Sequence, residues 1–360
     1  MSTINEVITT NKPYVIVNTP AAGGKTYCIT ERVKHLLTNG IDPSKIVMIT
    51  FTNLAAEEMK ERLKQDGDKI FIGTIHSYIN NLLLSGGVYT GQVLDEENFD
   101  QLFELIIEHT ECIKPIEYLL LDEAQDTDEK QWKVILDIIK PKQWMAVGDS
   151  RQNIFSWRMK GDNLFIQLSN NPVITTYNLL YNHRNGENIL NYAKRIINQS
   201  EEDLEDYSIA TTENKGKVIE CEYDENLIIK HIKEDGYNYN DWFILTRTNA
   251  QLEKIKSVLE KENIPCDTFK RADLTHKELN KRMKQNTVKV LTIHSAKGLE
   301  AKAVVVIGTR FWNDEERRVN YVAATRAKEL LIWTKEVKVN NYKKTTYKKK
   351  QIQKDFVRWE

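Results

Sequence analysis

Short, wholly apolar or near-apolar runs alternate along the chain with longer stretches whose apolar positions recur every three to four residues. The first kind reads as strands buried on both faces and the second as helices with one buried stripe. Residues 14–17 (YVIV), 45–51, 118–121 (YLLL) and 144–147 are the expected strands of a first set. Residues 26–37, 54–63 and 129–139 are the helices between them, the last opened by the capping run Asp126, Thr127, Asp128. The pattern restarts after Pro172. Expected strands at 173–179, 217–222, 242–246, 288–293, 303–307 and 330–334 alternate with helices at 186–198, 250–263 and 315–325. Alternation of this kind predicts an α/β fold, each half a mostly parallel sheet flanked by helices. The acidic stretch 201–206 reads as a solvated loop.

Composition narrows the choice. A chain of 360 residues, 41% apolar, has the material for two or three packed domains. Its 51 basic and 52 acidic residues leave a net charge of -1. A polyanion partner would therefore have to be met by positive charge gathered in a groove, not by a global surplus. Residues 336–360 are dense in lysine, with Tyr342 and Tyr347 interleaved. This tail reads either as a solvated end or as a phosphate or partner contact. Cys28, Cys112, Cys221 and Cys266 lie far apart, and the seven histidines have no metal-ligand spacing. That argues against a zinc site or a disulfide framework. No apolar run reaches the length of a membrane span, so the expectation is a soluble, cytoplasmic protein.

The chemistry gathers at two strand ends. Residues 19–26 (TPAAGGKT) lie between an expected strand and an expected helix, the setting a phosphate-binding loop needs. Small residues Ala22, Gly23 and Gly24 let backbone N–H groups close on phosphate oxygens. Lys25 reaches the β- and γ-phosphates, and the Thr26 hydroxyl binds Mg²⁺. Thr19 stands where the usual pattern has glycine. At residues 119–126 (LLLDEAQD) an apolar strand ends in adjacent carboxylates. Asp122 can hold Mg²⁺ and Glu123 can polarise an attacking water. Either run alone could be an ordinary turn; together they form the two halves of one site.

Further runs carry a family resemblance. Residues 49–59, 73–77, 122–127, 147–158, 180–184, 291–300 and 319–327 resemble, in order, motifs Ia, Ib, II, III, IV, V and VI of UvrD/Rep-like superfamily 1 helicases. The resemblance implies two RecA-like domains with ATP in the cleft between them. It implies that Gln152 senses the γ-phosphate and that Arg184 and Arg326 reach across as arginine fingers. Such arginines neutralise charge on the transferred phosphoryl group only when the cleft is closed. Glu300 resembles the motif V glutamate near the nucleotide, and His183 takes the place of a tyrosine that stacks on adenine. Phe155, Trp157 and Arg158 match residues that stack on bases. Aromatic faces accept any base, which suits a motor indifferent to sequence. Phe51, Thr52 and Asn53, with His76 and His294, would line the same strand path.

The chain departs from the family in its insertions. Residues 77–117 leave room for only a few helices in place of subdomain 1B, and about 20 residues near 270–286 leave none for 2B. The expected layout is a domain 1A at 1–173, a domain 2A at 174–335 and the basic tail. The family's adenine-reading glutamine motif is not recognisable, with Asn5 and Glu6 near its place. The leading reading is an ATP-dependent translocase or helicase on single-stranded DNA, with 3′ to 5′ polarity by implication. The alternative is a non-unwinding ATP- and DNA-binding subunit of a nuclease complex. An unrelated P-loop kinase would leave motifs III to VI without a role.

Overall fold

The computed structural model describes residues 2–90, 99–155, 163–199, 205–311 and 313–335. Two six-stranded sheets organise them, every pairing within each parallel. The first holds β1 (Tyr14–Asn18), β2 (Ile46–Ile49), β3 (Phe71–Gly73), β4 (Tyr118–Leu121), β5 (Gln143–Gly148) and β6 (Thr175–Asn178), in the order β3-β2-β4-β5-β1-β6. Helices α1 (Ile4–Thr9), α2 (Lys25–Thr38), α3 (Asn53–Leu63), α4 (Ile75–Ser85), α5 (Phe99–Glu108), α6 (Glu129–Lys133) and α7 (Leu164–Ser169) accompany it. A two-stranded ribbon of β7 (Tyr181–Asn182) and β8 (Ile209–Ala210) lies at the junction. The second large sheet holds β9 (Lys217–Glu222), β10 (Trp242–Thr246), β11 (Cys266–Asp267), β12 (Val288–Thr292), β13 (Ala301–Ile307) and β14 (Ala327–Lys335), ordered β11-β12-β10-β13-β14-β9. With it go α8 (Glu187–Ile197), α9 (Glu225–Glu234), α10 (Asn249–Lys261), α11 (His276–Lys284) and α12 (Asp314–Ala324).

The continuous apolar strands are explained by this burial. β2 and β10 are buried at every residue because helices cover both faces of their sheets. Each sheet has a core on either side, and one of these cores runs on into the other half. Ala21, Leu54 and Ile154 of the first half pack in the same cluster as Leu291, Ile293 and Val322 of the second. The fold is two RecA-like α/β units meeting over an apolar floor. Register then aims the chemistry. Val17 pairs with Val147 and Leu121 with Ala146, so the carboxyl ends of β1, β4 and β5 come out together. Ligands of open parallel sheets bind at such ends.

Three expectations need correction. Residues 175–178 do not open the second sheet. They pair with β1 as the edge strand of the first, so that sheet extends beyond residue 173. The helix expected over 129–139 is α-helical only to Lys133 and winds more widely, in π fashion, over Val134–Ile139. Val134 and Ile139, five residues apart, are both buried, and a wider turn brings that spacing onto one side. Pro141 follows and rules out continuation. Asp206, read as solvated, is 2% exposed because Arg151 and Tyr321 close on it. The short stretch before β12 also has structure of its own. It holds α11, whose first residue His276 donates its backbone N–H to Glu57 Oε2 of α3 at 2.6 Å, joining the two units.

Candidate functional site

The phosphate loop is built by backbone geometry. After β1 the chain turns through Ala22 (φ 54°) and Gly24 (φ 85°), and α2 starts at Lys25 with no side-chain cap. Uncapped N–H groups at a helix start favour anions. Gly23 packs against Pro20, where an added Cβ would lie 2.6 Å from Pro20 Cδ. Thr19 is fully buried, its N–H donating to Gly148 O at 2.9 Å. Lys25 Nζ meets Glu123 Oε2 at 2.7 Å. Glu123 itself holds a left-handed backbone (φ 50°), a strain of about 1–3 kcal/mol that places its carboxylate against the lysine. Burial, with Glu123 alongside, pushes the Asp122 carboxyl up to about 7. Burial opposes charge on Glu123 too, but Lys25 and Lys297 outweigh it and hold that carboxyl well below its ordinary range. Asp122 Oδ1 is buried and has no hydrogen-bond partner. With the Thr26 hydroxyl on the same cavity wall, this free hard oxygen fits Mg²⁺.

The second unit supplies the opposite wall. Arg184 donates Nε–H to Glu300, and its Nη1 lies 3.2 Å from Thr325 O. Glu300 also pairs with Lys328 at 2.6 Å. Burial works against the Glu300 charge, yet Arg184 and Lys328 prevail and hold its carboxyl at about 2. Arg326, just beyond α12, is 2% exposed. It donates to Val322 O at 3.0 Å, Leu299 O at 3.2 Å and Thr325 Oγ1 at 3.1 Å, all neutral acceptors. Burial and the nearby Arg184 push its guanidinium below the ordinary range. Such a cation gains from an arriving anion. Gln152 lies beside the phosphate loop, its Nε2 donating to Asp149 Oδ2 at 2.7 Å. His183 donates its backbone N–H to Ala22 O at 3.2 Å, with Nδ1 2.9 Å from Thr211 Oγ1.

An aromatic wall continues from these groups. Phe51 and Phe155 stack with centroids 5.5 Å apart, and His294 sits 5.8 Å from Phe155. His76 lies edge-on to Phe103 at 5.0 Å. Thr52 caps α3 through Ala55 N–H, and Asn53 opens that helix. Both walls belong to one cavity of about 1550 Å³. Its lining includes Lys25, Asp122 and Phe51 from the first unit and Arg184, Glu300, Arg326 and His294 from the second.

Comparison with known proteins fits this two-unit cleft. The family described as AAA domain matches residues 4–158, and the UvrD-like helicase C-terminal domain matches 177–283 and 267–338. Over both units the chain is similar to the UvrD/Rep-like superfamily 1 helicases. It is 26% identical to the ATP-dependent DNA helicase PcrA of Leuconostoc citreum over 362 residues, with 72% of this chain and 48% of the relative covered. The PcrA proteins of Staphylococcus epidermidis (27%) and Staphylococcus aureus (26%) match similarly, with 72% of this chain and 49% of each relative covered. The chain thus spans about half the length of the curated relatives it matches.

Within this UvrD-like chain, the remaining expectations fall out unevenly. Trp157 and Arg158 lie outside the described residues, as does the tail 336–360. Glu6 is occupied in capping α1, where its carboxylate accepts Thr3 N–H at 2.8 Å, and neither it nor Asn5 lines the cavity. Sequence reasoning passed over four residues that the fold brings in. Lys297 ion-pairs with Asp126 and donates to Gln152 O at 2.8 Å, tying the units together. It stood inside the motif V run and could have been picked out there. Lys328, one residue beyond the motif VI run, had no such signal. Asn182 holds the phosphate loop by donating to Ala21 O at 2.8 Å. Arg271 enters the cavity from the turn before α11 and donates to Lys297 O at 2.6 Å. Nothing in its own spacing marks it.

Proposed function

We propose that this chain hydrolyses ATP with Mg²⁺ and uses the resulting closure and opening of its two units to move along single-stranded DNA, 3′ to 5′. The observation that carries this reading is the shared cavity. Phosphate-loop lysine and adjacent carboxylates stand on one wall, and two arginines of the other unit stand opposite. In this scheme the unit boundary falls after β6, and residues 77–117 are a reduced 1B-like insertion.

The residues divide the labour as follows. Ala22, Gly23, Gly24 and the start of α2 cradle the phosphates. Lys25 exchanges its ion pair with Glu123 for the β- and γ-phosphates. Glu123, released, takes the proton of the attacking water. Thr26 and Asp122 would hold Mg²⁺, which neutralises phosphate charge when bound. Gln152 reports the γ-phosphate, while Arg184 and Arg326 stabilise the transferred group and require both units in place. His183 and Glu300 border the nucleotide. Phe51, Phe155 and His294, with Thr52, Asn53 and His76, give bases a surface that does not read sequence.

The test is ATP turnover by purified protein with and without single-stranded DNA, followed by strand separation on 3′-tailed, 5′-tailed and blunt duplexes. Stimulation by single strands and a preference for the 3′ tail are expected. Turnover indifferent to DNA would remove the motor reading. The short insertions favour a second reading, a non-unwinding subunit that gates a nuclease. A stoichiometric nuclease recovered with the chain, and no unwinding by the chain alone, would select it.

A further inference from the structure

Arg151 lies in the short turn between β5 and the aromatic wall, one residue before Gln152. It is nearly buried, and its guanidinium is shared by carboxylates from both units. Nε donates to Asp149 Oδ1 at 2.6 Å, and Nη1 meets Asp206 Oδ1 at 2.8 Å. The two carboxylate side chains are 1% and 0% exposed. Asp206 follows α8 and is itself fixed. Its Oδ2 accepts the Tyr321 hydroxyl of α12 at 2.8 Å, and its Oδ1 accepts Ser208 N–H at 2.8 Å. Tyr321 also presents its ring to the Arg151 guanidinium at 5.9 Å. On the other side, the second Asp149 oxygen accepts the Gln152 amide.

These contacts form a continuous buried chain. It runs from Gln152 through Asp149 and Arg151 to Asp206 and Tyr321, and so to the helix that ends beside Arg326. We infer that Arg151 is a positioning residue that sets Gln152 according to the placement of the second unit, coupling the γ-phosphate contact to the Arg326 helix. The inference rests on the proposed ATPase reading for what Gln152 touches. The coupling itself rests on the ion pairs alone.

Energetics distinguish this role from simple support. A buried ion pair adds little net stability over a neutral pair of similar shape, whereas removing one partner strands a buried charge. The double variant Arg151→Met with Asp206→Asn keeps volume and removes the pair that joins the units without changing the net charge of the cluster. Asp149 retains the Gln152 Nε2 and Arg151 backbone N–H donors and the nearby Lys25, so the variant should fold. Arg151→Met alone serves as the stranded-charge control, and Tyr321→Phe as the mildest change.

Three measurements are made on the full chain. They are affinity for a fluorescent ATP analogue, ATP turnover on oligo-dT, and hydrogen exchange of the 205–208 amides with and without the analogue. In a double variant that melts near the wild type, analogue affinity should stay within about twofold while DNA-stimulated kcat falls about tenfold or more at unchanged KM. Analogue-induced protection of 205–208 should appear in the wild type and vanish in the variant. A folded double variant that keeps both kcat and the induced protection overturns the inference. If the wild type binds the analogue but does not turn over ATP, the proposed function fails, and the exchange measurement still decides Arg151.

Discussion

The two walls of the cleft solve one electrostatic problem differently. On the first unit, one lysine serves adjacent carboxylates. Lys25 is held by Glu123, while Asp122 keeps an unpartnered buried oxygen and a raised pKa. On the second unit, one carboxylate serves two cations. Glu300 takes both Arg184 and Lys328, and Arg326 is left with neutral carbonyl and hydroxyl acceptors. The first wall is short of a cation, and the second is short of an anion. A Mg²⁺-triphosphate would supply both, and neither wall alone could satisfy it. The difference explains why chemistry here would be tied to the meeting of the units.

That contrast can be broken one wall at a time. The largest effect is expected for Lys25→Ala, which should abolish measurable ATP turnover by removing the cation of the phosphate loop. Arg326→Lys should lower kcat by about a thousandfold, because an ammonium cannot reproduce the guanidinium fork that reaches three acceptors. A melting temperature near the wild type's would show that the loss is not one of folding. Glu123→Gln should keep analogue binding and lower kcat by about a hundredfold or more. If it lost binding instead, Glu123 would be a structural partner of Lys25 and not the base. Phe155→Ala should weaken single-stranded DNA binding by about tenfold and leave nucleotide affinity in the absence of DNA unchanged, measured by fluorescence titration.

The smallest effect concerns His294. Burial and the nearby Arg247 lower its pKa below the usual 6.5. The folded state therefore takes up its proton less readily than the unfolded chain. The associated stability is fully present above pH 6.5 and is lost as pH falls through that value toward the lower folded pKa. Thermal melts of wild type and His294→Gln should converge as the pH is lowered through this window. Parallel curves would remove His294 from the account.

Much of the frame was legible because it is local. Strands such as 118–121 and 242–246 were readable as uninterrupted apolar runs, and Gly24, Lys25 and Thr26 as a turn into a helix. Edge strand β6 was misassigned because its β-branched and aromatic residues, in the run VITTYNL over 173–179, say that it is a strand but not which sheet it joins. Asp206 was misread because four acidic neighbours precede it, with Leu204 between, and its partner Arg151 lies 55 residues earlier. Arg271 and Lys297 gained their places only when α11 and the turn after β12 folded over the cavity.

The sequence by itself determined the alternation of strands and helices, the phosphate loop, the paired carboxylates and the family motifs. Each of these depends on neighbours a few residues apart. Tertiary structure alone decided which charges meet: Lys25 with Glu123, Lys297 with Asp126, and Arg151 with both Asp149 and Asp206. Those pairings depend on sheet register and on two units packed over one apolar floor, and distance along the chain carries no record of either.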